Sequence, residues 1–209
     1  MSNKFKFLSL VVLSSLMFMV SGCEDDGSSH DYGDNDANYY VAMGDSITEG
    51  YGDAGTPYPE RLAGMIGKTV ANEGKSGETS DEGAARINSL LSSYKPGHLL
   101  VLYGANDVLR SRDNADIISY LRTIIQAAKS NQTVPELATL TPITGHDGAY
   151  ASAVQSLNTD IRSLASEEGV RLVDLESAFN GTGNVDAYLQ SDGLHPNSDG
   201  SQLIAESFL

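Results

Sequence analysis

Two short segments, one at each end of the chain, hold side chains suited to nucleophilic chemistry. Gly44, Asp45 and Ser46 follow directly on the apolar run Tyr39 to Met43, while Asp192, Gly193, Leu194 and His195 stand in a polar stretch closed by Pro196. A serine hydroxyl is hardly ionised at neutral pH, so it attacks only where a neighbouring base takes its proton. A histidine whose Nδ1 proton is held by a carboxylate three residues earlier keeps Nε2 free for that task. Each segment also has an ordinary reading. Ser46 could cap the helix that should begin there, and an Asp-x-x-His pair is often no more than solvated loop. Gly44 permits the tight turn that either reading of Ser46 needs.

Acyl transfer further requires hydrogen-bond donors aimed at the oxygen of a tetrahedral intermediate. Ser76-Gly77-Glu78 and Gly104-Ala105-Asn106-Asp107 each follow an apolar run and offer a glycine amide and an asparagine side chain. Either segment alone is more often a turn. Val108, Leu109, Pro142 and Ile143 are candidates for an apolar rim beside the acyl group. The other histidines have structural or solvent-side defaults: His30 in a polar N-terminal stretch, His98 at the mouth of a strand, and His146 in a Gly-containing loop. Of these, only the loop of His146 leaves a strand on the expected site side.

The elements that must bring these segments together alternate in type. Tyr39 to Met43, Thr69 to Ala71, Leu99 to Tyr103, Leu137 to Leu140 and Val170 to Leu175 are short apolar runs bounded by Gly, Pro or Asn, as buried parallel strands are. Between them, Glu60 to Ile66, Asp81 to Leu91, Asp116 to Ala128 and Ala149 to Ser166 carry helical spacing, and a last helix with Leu203, Ile204 and Phe208 follows His195. Ile117, Ile118, Leu121, Ile124, Ile125 and Ala128 form one apolar stripe. The alternation predicts an α/β domain with a parallel sheet covered by helices on both faces. The 209 residues suffice for one such core. In an open sheet of this kind ligands sit beyond the carboxyl ends of the strands, which is where Ser46, Gly77 and Asn106 fall.

Taken together, the blocks Gly44-Asp45-Ser46, Ser76-Gly77, Gly104-x-Asn106-Asp107 and Asp192-x-x-His195 resemble, in order, those of the SGNH hydrolase superfamily, the GDSL-type esterases and lipases. The resemblance spans Tyr39 to Leu209. It implies a flavodoxin-like, three-layer α/β/α domain with about five parallel strands, and neither metal nor organic cofactor. It also implies a catalytic set of Ser46, Asp192 and His195, and an oxyanion hole built from the Ser46 amide, the Gly77 amide and the Asn106 side chain. Asp45 and Asp107 are then support residues. The more familiar α/β-hydrolases use a G-x-S-x-G elbow, from which this chain departs at Thr48.

The N-terminus points to export. Lys4 and Lys6 precede an uncharged apolar run, Phe7 to Val20, that ends in Ser21, Gly22 and Cys23, the layout of a secretory signal over residues 1–22. Val20-Ser21-Gly22-Cys23 resembles the lipobox of bacterial lipoproteins, which implies lipidation at Cys23 and a place in the cell envelope; a soluble secreted protein is the alternative. Cys23 is the sole cysteine, so no intrachain disulfide is possible. Residues 23–38 read as an acidic flexible tether, leaving 39–209 as the hydrolase domain. Removal of the leader leaves 11 basic against 28 acidic side chains, a formal charge of −17. Such a surface disfavours nucleic acid and anionic lipid headgroups, so membrane contact would rest on the lipid at Cys23.

The expected activity is hydrolysis of short to medium acyl esters, including aryl esters and thioesters, by a monomer acting on small-molecule or glycan-linked substrates. A carbohydrate O-acetyl esterase is the rival within the family. A surface lipoprotein that keeps only the scaffold and binds glycans or a partner is the rival from another class.

Overall fold

The computed structural model describes residues 30–52 and 55–209; the expected leader and Cys23 lie outside the described residues. Five parallel strands form one sheet in the order β2-β1-β3-β4-β5: β1 (Asp36–Gly44), β2 (Thr69–Gly74), β3 (Pro96–Leu102), β4 (Val134–Ala138) and β5 (Arg171–Val173). Val41 to Met43 in β1 and Leu99 to Leu102 in β3 are almost wholly buried. A parallel strand covered on both faces has no solvent side, which is why these segments are unbroken apolar runs rather than alternating ones.

The helices are α1 (Ser46–Glu49), α2 (Tyr58–Ile66), α3 (Ser80–Tyr94), α4 (Ala105–Leu109), α5 (Asn114–Ser130), α6 (Ala151–Glu168), α7 (Leu175–Gly181) and α8 (Ser198–Ser207). Neighbours α3, α5 and α6 make one layer, and α2, α7 and α8 the other. Right-handed crossovers demand this split. The step from β1 to β2 runs one way across the sheet and each later step runs the other way, so α2 falls on the face opposite α3, α5 and α6. On α5 the stripe buries Ile117, Leu121, Ile124, Ile125 and Ala128 fully, with Ile118 at its edge. Burying each isoleucine or leucine contributes about 1.5–3 kcal/mol relative to exposure.

Three boundaries differ from expectation. β1 begins at Asp36, inside the stretch read as tether to residue 38. Polar contacts invisible to composition hold this segment: the Asp36 amide donates to Lys95 O (3.0 Å), the Asn35 side chain donates to Asn131 O (2.5 Å), and Tyr32 OH pairs with His98 Nε2 (3.1 Å). β4 stops at Ala138 rather than Leu140, because the buried Asn158 side chain takes both the amide (2.8 Å) and the carbonyl (3.1 Å) of Leu140. The run Val170 to Leu175 divides into β5 and α7, where Asp174 caps the helix by accepting from the Ser177 amide at 3.0 Å.

β1 and β3 are neighbours whose chain connections leave in opposite directions. The crevice beyond their carboxyl ends is therefore the switch point of the sheet, the position at which such folds bind ligands.

Candidate active site

Ser46 stands on one side of that crevice. β1 ends at Gly44, where a Cβ would lie 2.1 Å from Thr48 Oγ1 and 2.6 Å from Leu102 O, so only glycine lets the chain turn between the two strands. Asp45 Oδ1 then accepts from the Ile47 amide at 2.9 Å and caps α1, which Ser46 opens. Asp45 is buried, and burial pushes its carboxyl up to about 7, against the Ile47 amide and with help from the nearby charges of Asp107 and Glu78. Ser46 Oγ lies 2.9 Å from His195 Nε2.

His195 comes from a loop held mainly through its backbone. Leu189 and Pro196 form an antiparallel bridge, the Gln190 amide donates to His195 O (2.8 Å), and Gly193 turns through φ +64 while its amide donates to Gln190 O (2.9 Å). Within the loop, Asp192 Oδ1 accepts from the amides of Leu194 (2.9 Å) and His195 (3.0 Å), and Oδ2 lies 2.6 Å from His195 Nδ1. Burial works against the Asp192 charge, but these bonds outweigh it and hold the carboxyl below its ordinary value. The Thr144 and Gly145 amides brace the loop by donating to Gly193 O at 2.8 and 3.0 Å. Tyr51 adds a wall, its exposed ring 4.8 Å from that of His195, and its carbonyl accepts from Gln190 Nε2 at 2.8 Å.

Across the crevice, two residues beyond β3, Gly104 (φ +125) is the N-cap of α4, which carries Asn106. Asn106 Nδ2 donates to Glu78 O at 3.0 Å and stands 3.4 Å from Asp45 Oδ2. Gly77 turns the intervening loop through φ +80, and Arg110 Nη2 donates to Gly77 O at 2.8 Å. Arg86 holds the Glu78 carboxylate at 2.7–3.0 Å and donates to Tyr103 OH at 2.8 Å, while that hydroxyl also donates to Glu78. Asp107, fully buried, accepts from the Ser80 amide (3.0 Å) and hydroxyl (2.8 Å), tying α3 to α4, and faces Arg112 at 3.4 Å.

Thus Ser46, Asp192 and His195 form one hydrogen-bonded chain, and the Gly77 and Asn106 segments meet beside the Asp45–Ser46 turn. The expected apolar rim does not come together in the same way. Val108 and Ile143 are buried core residues, 5% and 2% exposed, because they fall on the inward sides of α4 and of the loop after β4. Pro142 and Ile143 line a hollow of about 520 Å³ with Val154, Asn180 and Val185, a hollow not bordered by Ser46, Asn106 or His195. Leu109 is half-buried on α4. His98 stacks on Tyr40 with ring centroids 4.2 Å apart, at the opposite end of the sheet from Ser46, and His146 meets the Tyr150 ring edge-on at 5.4 Å. Among the described residues no group of three or more His, Cys, Asp or Glu is arranged to hold a metal ion.

Sequence reasoning missed the supports: Tyr51, Arg86, Tyr103, Arg110, Gly145 and Gln190. Arg110 alone carries a local signal, since it follows Asn106 by one helical turn and so shares its face.

The family described as "GDSL-like Lipase/Acylhydrolase family" matches residues 42–203. The chain is 30% identical over 175 residues to "Thioesterase 1/protease 1/lysophospholipase L1" of Escherichia coli (strain K12), covering 81% of each. It is 26% identical over 199 residues to the "Acetylxylan esterase" of Geobacillus stearothermophilus, covering 80% of this chain and 90% of the relative. The crystal structure of Axe2, an acetylxylan esterase from that organism, superposes with a TM-score of 0.73 at 24% identity over 84% of this chain and 94% of its own. With matching blocks on a matching fold, the chain belongs to the GDSL-like lipase/acylhydrolase family and is a hydrolase of ester bonds.

Proposed function

We propose that Ser46 is the nucleophile of a hydrolase acting on short to medium acyl esters through an acyl-enzyme. The observation that carries this reading is the continuous chain from Ser46 Oγ to His195 Nε2 at 2.9 Å and from His195 Nδ1 to Asp192 Oδ2 at 2.6 Å. Asp192 fixes the tautomer in which Nδ1 carries the proton, so Nε2 accepts the serine proton as Oγ bonds to the ester carbonyl carbon. The carbonyl oxygen becomes an oxyanion and takes hydrogen bonds from the Ser46 amide, the Gly77 amide and the second N–H of Asn106 Nδ2, which exchanges its long 3.4 Å bond to Asp45 Oδ2 for the substrate while the first stays on Glu78 O. The first amides of a helix have no partner within it, which leaves the Ser46 N–H to the substrate. His195 returns the proton to the departing alcohol; water, deprotonated by the same nitrogen, then releases the acid.

The test is a chain-length series of nitrophenyl esters run beside acetylated xylan on the wild type and Ser46→Ala, with a fluorophosphonate probe. We expect labelling and turnover in the wild type only, with rates highest at short to medium acyl length. Labelling that persists in Ser46→Ala would move the nucleophile elsewhere, and an unlabelled, inert wild type would favour a non-catalytic binding protein. Release of acetate from xylan in preference to aryl esters is the second reading, favoured by the similarity to a relative named as an acetylxylan esterase.

For location, the lipobox-like Val20 to Cys23 supports export and lipid attachment at Cys23 to the cell envelope. Loss of fatty-acid labelling in Cys23→Ala is the expected result, and unchanged labelling would overturn it. Ser46, Asp192 and His195 meet within one chain, so the proposed chemistry needs no second copy.

A further inference from the structure

Arg110 is the feature of this region that the proposed chemistry does not use. It follows Asn106 by one turn of α4, and the two side chains reach the same loop, taking consecutive carbonyls: Asn106 Nδ2 donates to Glu78 O at 3.0 Å and Arg110 Nη2 to Gly77 O at 2.8 Å. A Cβ placed on Gly77 would lie 4.0 Å from Arg110 Nη2, so the guanidinium sits directly over the glycine of the proposed oxyanion hole.

Its charge is also unusually uncommitted. Arg86, Arg112, Arg122, Arg162 and Arg171 each pair with one or two carboxylates, and Arg61 spends its donors on Thr56 O, Ser198 and Gln202. Arg110 is exposed, has no carboxylate within 4.0 Å among the described residues, and gives one of a guanidinium's five N–H donors to Gly77. Glu82 feels it at longer range, but that carboxylate is engaged by the Thr79 amide and hydroxyl, both at 2.9 Å. A chain with a formal charge of −15 repels anions over most of its surface. A guanidinium held over Gly77, with no carboxylate partner among the described residues, is a local reversal of that field, with a planar fork suited to carboxylate or phosphate.

We propose that Arg110 is a specificity residue that recognises an anionic group, a carboxylate or a phosphate monoester, carried by the ester substrate. This rests on the ester-hydrolase reading of Ser46 and narrows its substrate class. The anion belongs either to the acyl part or to the alcohol part, and the shared chemistry is a charge-assisted pair with the outer N–H groups of Arg110.

The experiment compares matched esters that differ only in that charge. On the acyl side these are mono-4-nitrophenyl adipate and its neutral methyl ester; on the alcohol side, 3-acetoxybenzoate and its methyl ester. In the wild type at low ionic strength, kcat/KM for the anionic member of at least one pair should exceed that of the neutral member by about threefold to fivefold, the range of a solvent-exposed ion pair. The preference should shrink in 0.5 M salt, where the screening length falls below about 5 Å. In Arg110→Gln the ratio should fall to one or below, whatever happens to the absolute rates, and Arg110→Lys should restore part of it. A wild type without preference in either pair, or a ratio unchanged in Arg110→Gln, would overturn the proposal and leave Arg110 as a clamp on Gly77. Turnover of the neutral esters reports separately on Ser46: if they and the fluorophosphonate both fail to react, the ester-hydrolase reading falls and the anion site with it.

Discussion

The two sides of the crevice are built by different means. On the oxyanion side, Asp45, Thr79, Ser80 and Asp107 are at most 1% exposed; Asp107 accepts from the Ser80 amide and hydroxyl, Asp45 from the Ile47 amide, and the Thr79 amide and hydroxyl donate to Glu82, with Arg86, Glu78 and Tyr103 behind them. On the base side, the Asp192 side chain is 43% exposed and the His195 side chain 13%, and their loop is fixed by backbone bonds and glycine turns. In the proposed mechanism the first side presents fixed donors to a charge that appears only in the transition state, and donors are worth most where water is excluded and nothing has to reorient. In the same mechanism the second moves protons between serine, leaving group and water, and needs solvent. Damage on the oxyanion side should therefore cost stability together with rate, whereas damage on the base side should cost rate alone.

Variants test this contrast in descending order of effect. Ser46→Ala and His195→Ala should each lower kcat by about 10⁶ while leaving Tm nearly unchanged. Asp192→Ala should cost about 10⁴, because serine and histidine still make and break the bonds without it, again at constant Tm. A fall of several degrees in Tm there would erase the distinction between the two sides. Asn106→Ala should lower kcat by about 10²–10³ and also lower Tm, since Glu78 O loses its donor; unchanged kcat would remove Asn106 from the hole. Gly145→Ala should cost about tenfold to a hundredfold in kcat, because the new Cβ would stand 2.0 Å from Asp192 O and must displace the base loop. Wild-type kcat in that variant would show the loop to be more compliant than its bonds suggest.

The last expectation concerns stability and pH rather than rate. The Asp45 carboxyl, raised by burial from 3.8 to about 7, binds a proton in the folded chain that the unfolded chain has lost. Its contribution to stability is therefore full below about pH 4 and disappears as pH rises through 7. Asp45→Asn cannot titrate, so the Tm of the wild type minus that of the variant should fall steadily from pH 4 to pH 7.5. A flat difference would mean that Asp45 is charged throughout.

Much of this was legible from residue order. The sheet could be read because buried parallel strands leave continuous apolar runs, and the meeting of Ser46 with the Asp192–His195 pair and with the Asn106 segment because each is tied to a strand end or to a short fixed spacing. The rim formed by Val108 and Ile143 was misread because an apolar residue near a site looks the same in sequence whether it faces the substrate or the core. Arg86 and Tyr103 were hidden for a different reason: they meet Glu78 across three elements and at no local spacing. Asp36 and Asn35 show the same limit, held by polar bonds to Lys95 and Asn131 that composition cannot register.

The bond between Ser46 and His195 joins positions 149 residues apart. Closing so long a span carries an entropic cost that must be met before the contact gives anything back, and contacts of that range form late in folding. Helices α3, α5 and α6 can acquire their dichroism while Ser46 and His195 are still apart. Recovered turnover after dilution from denaturant should accordingly trail the return of helical signal, which makes the enzyme's own reaction a stringent clock for the completion of its fold.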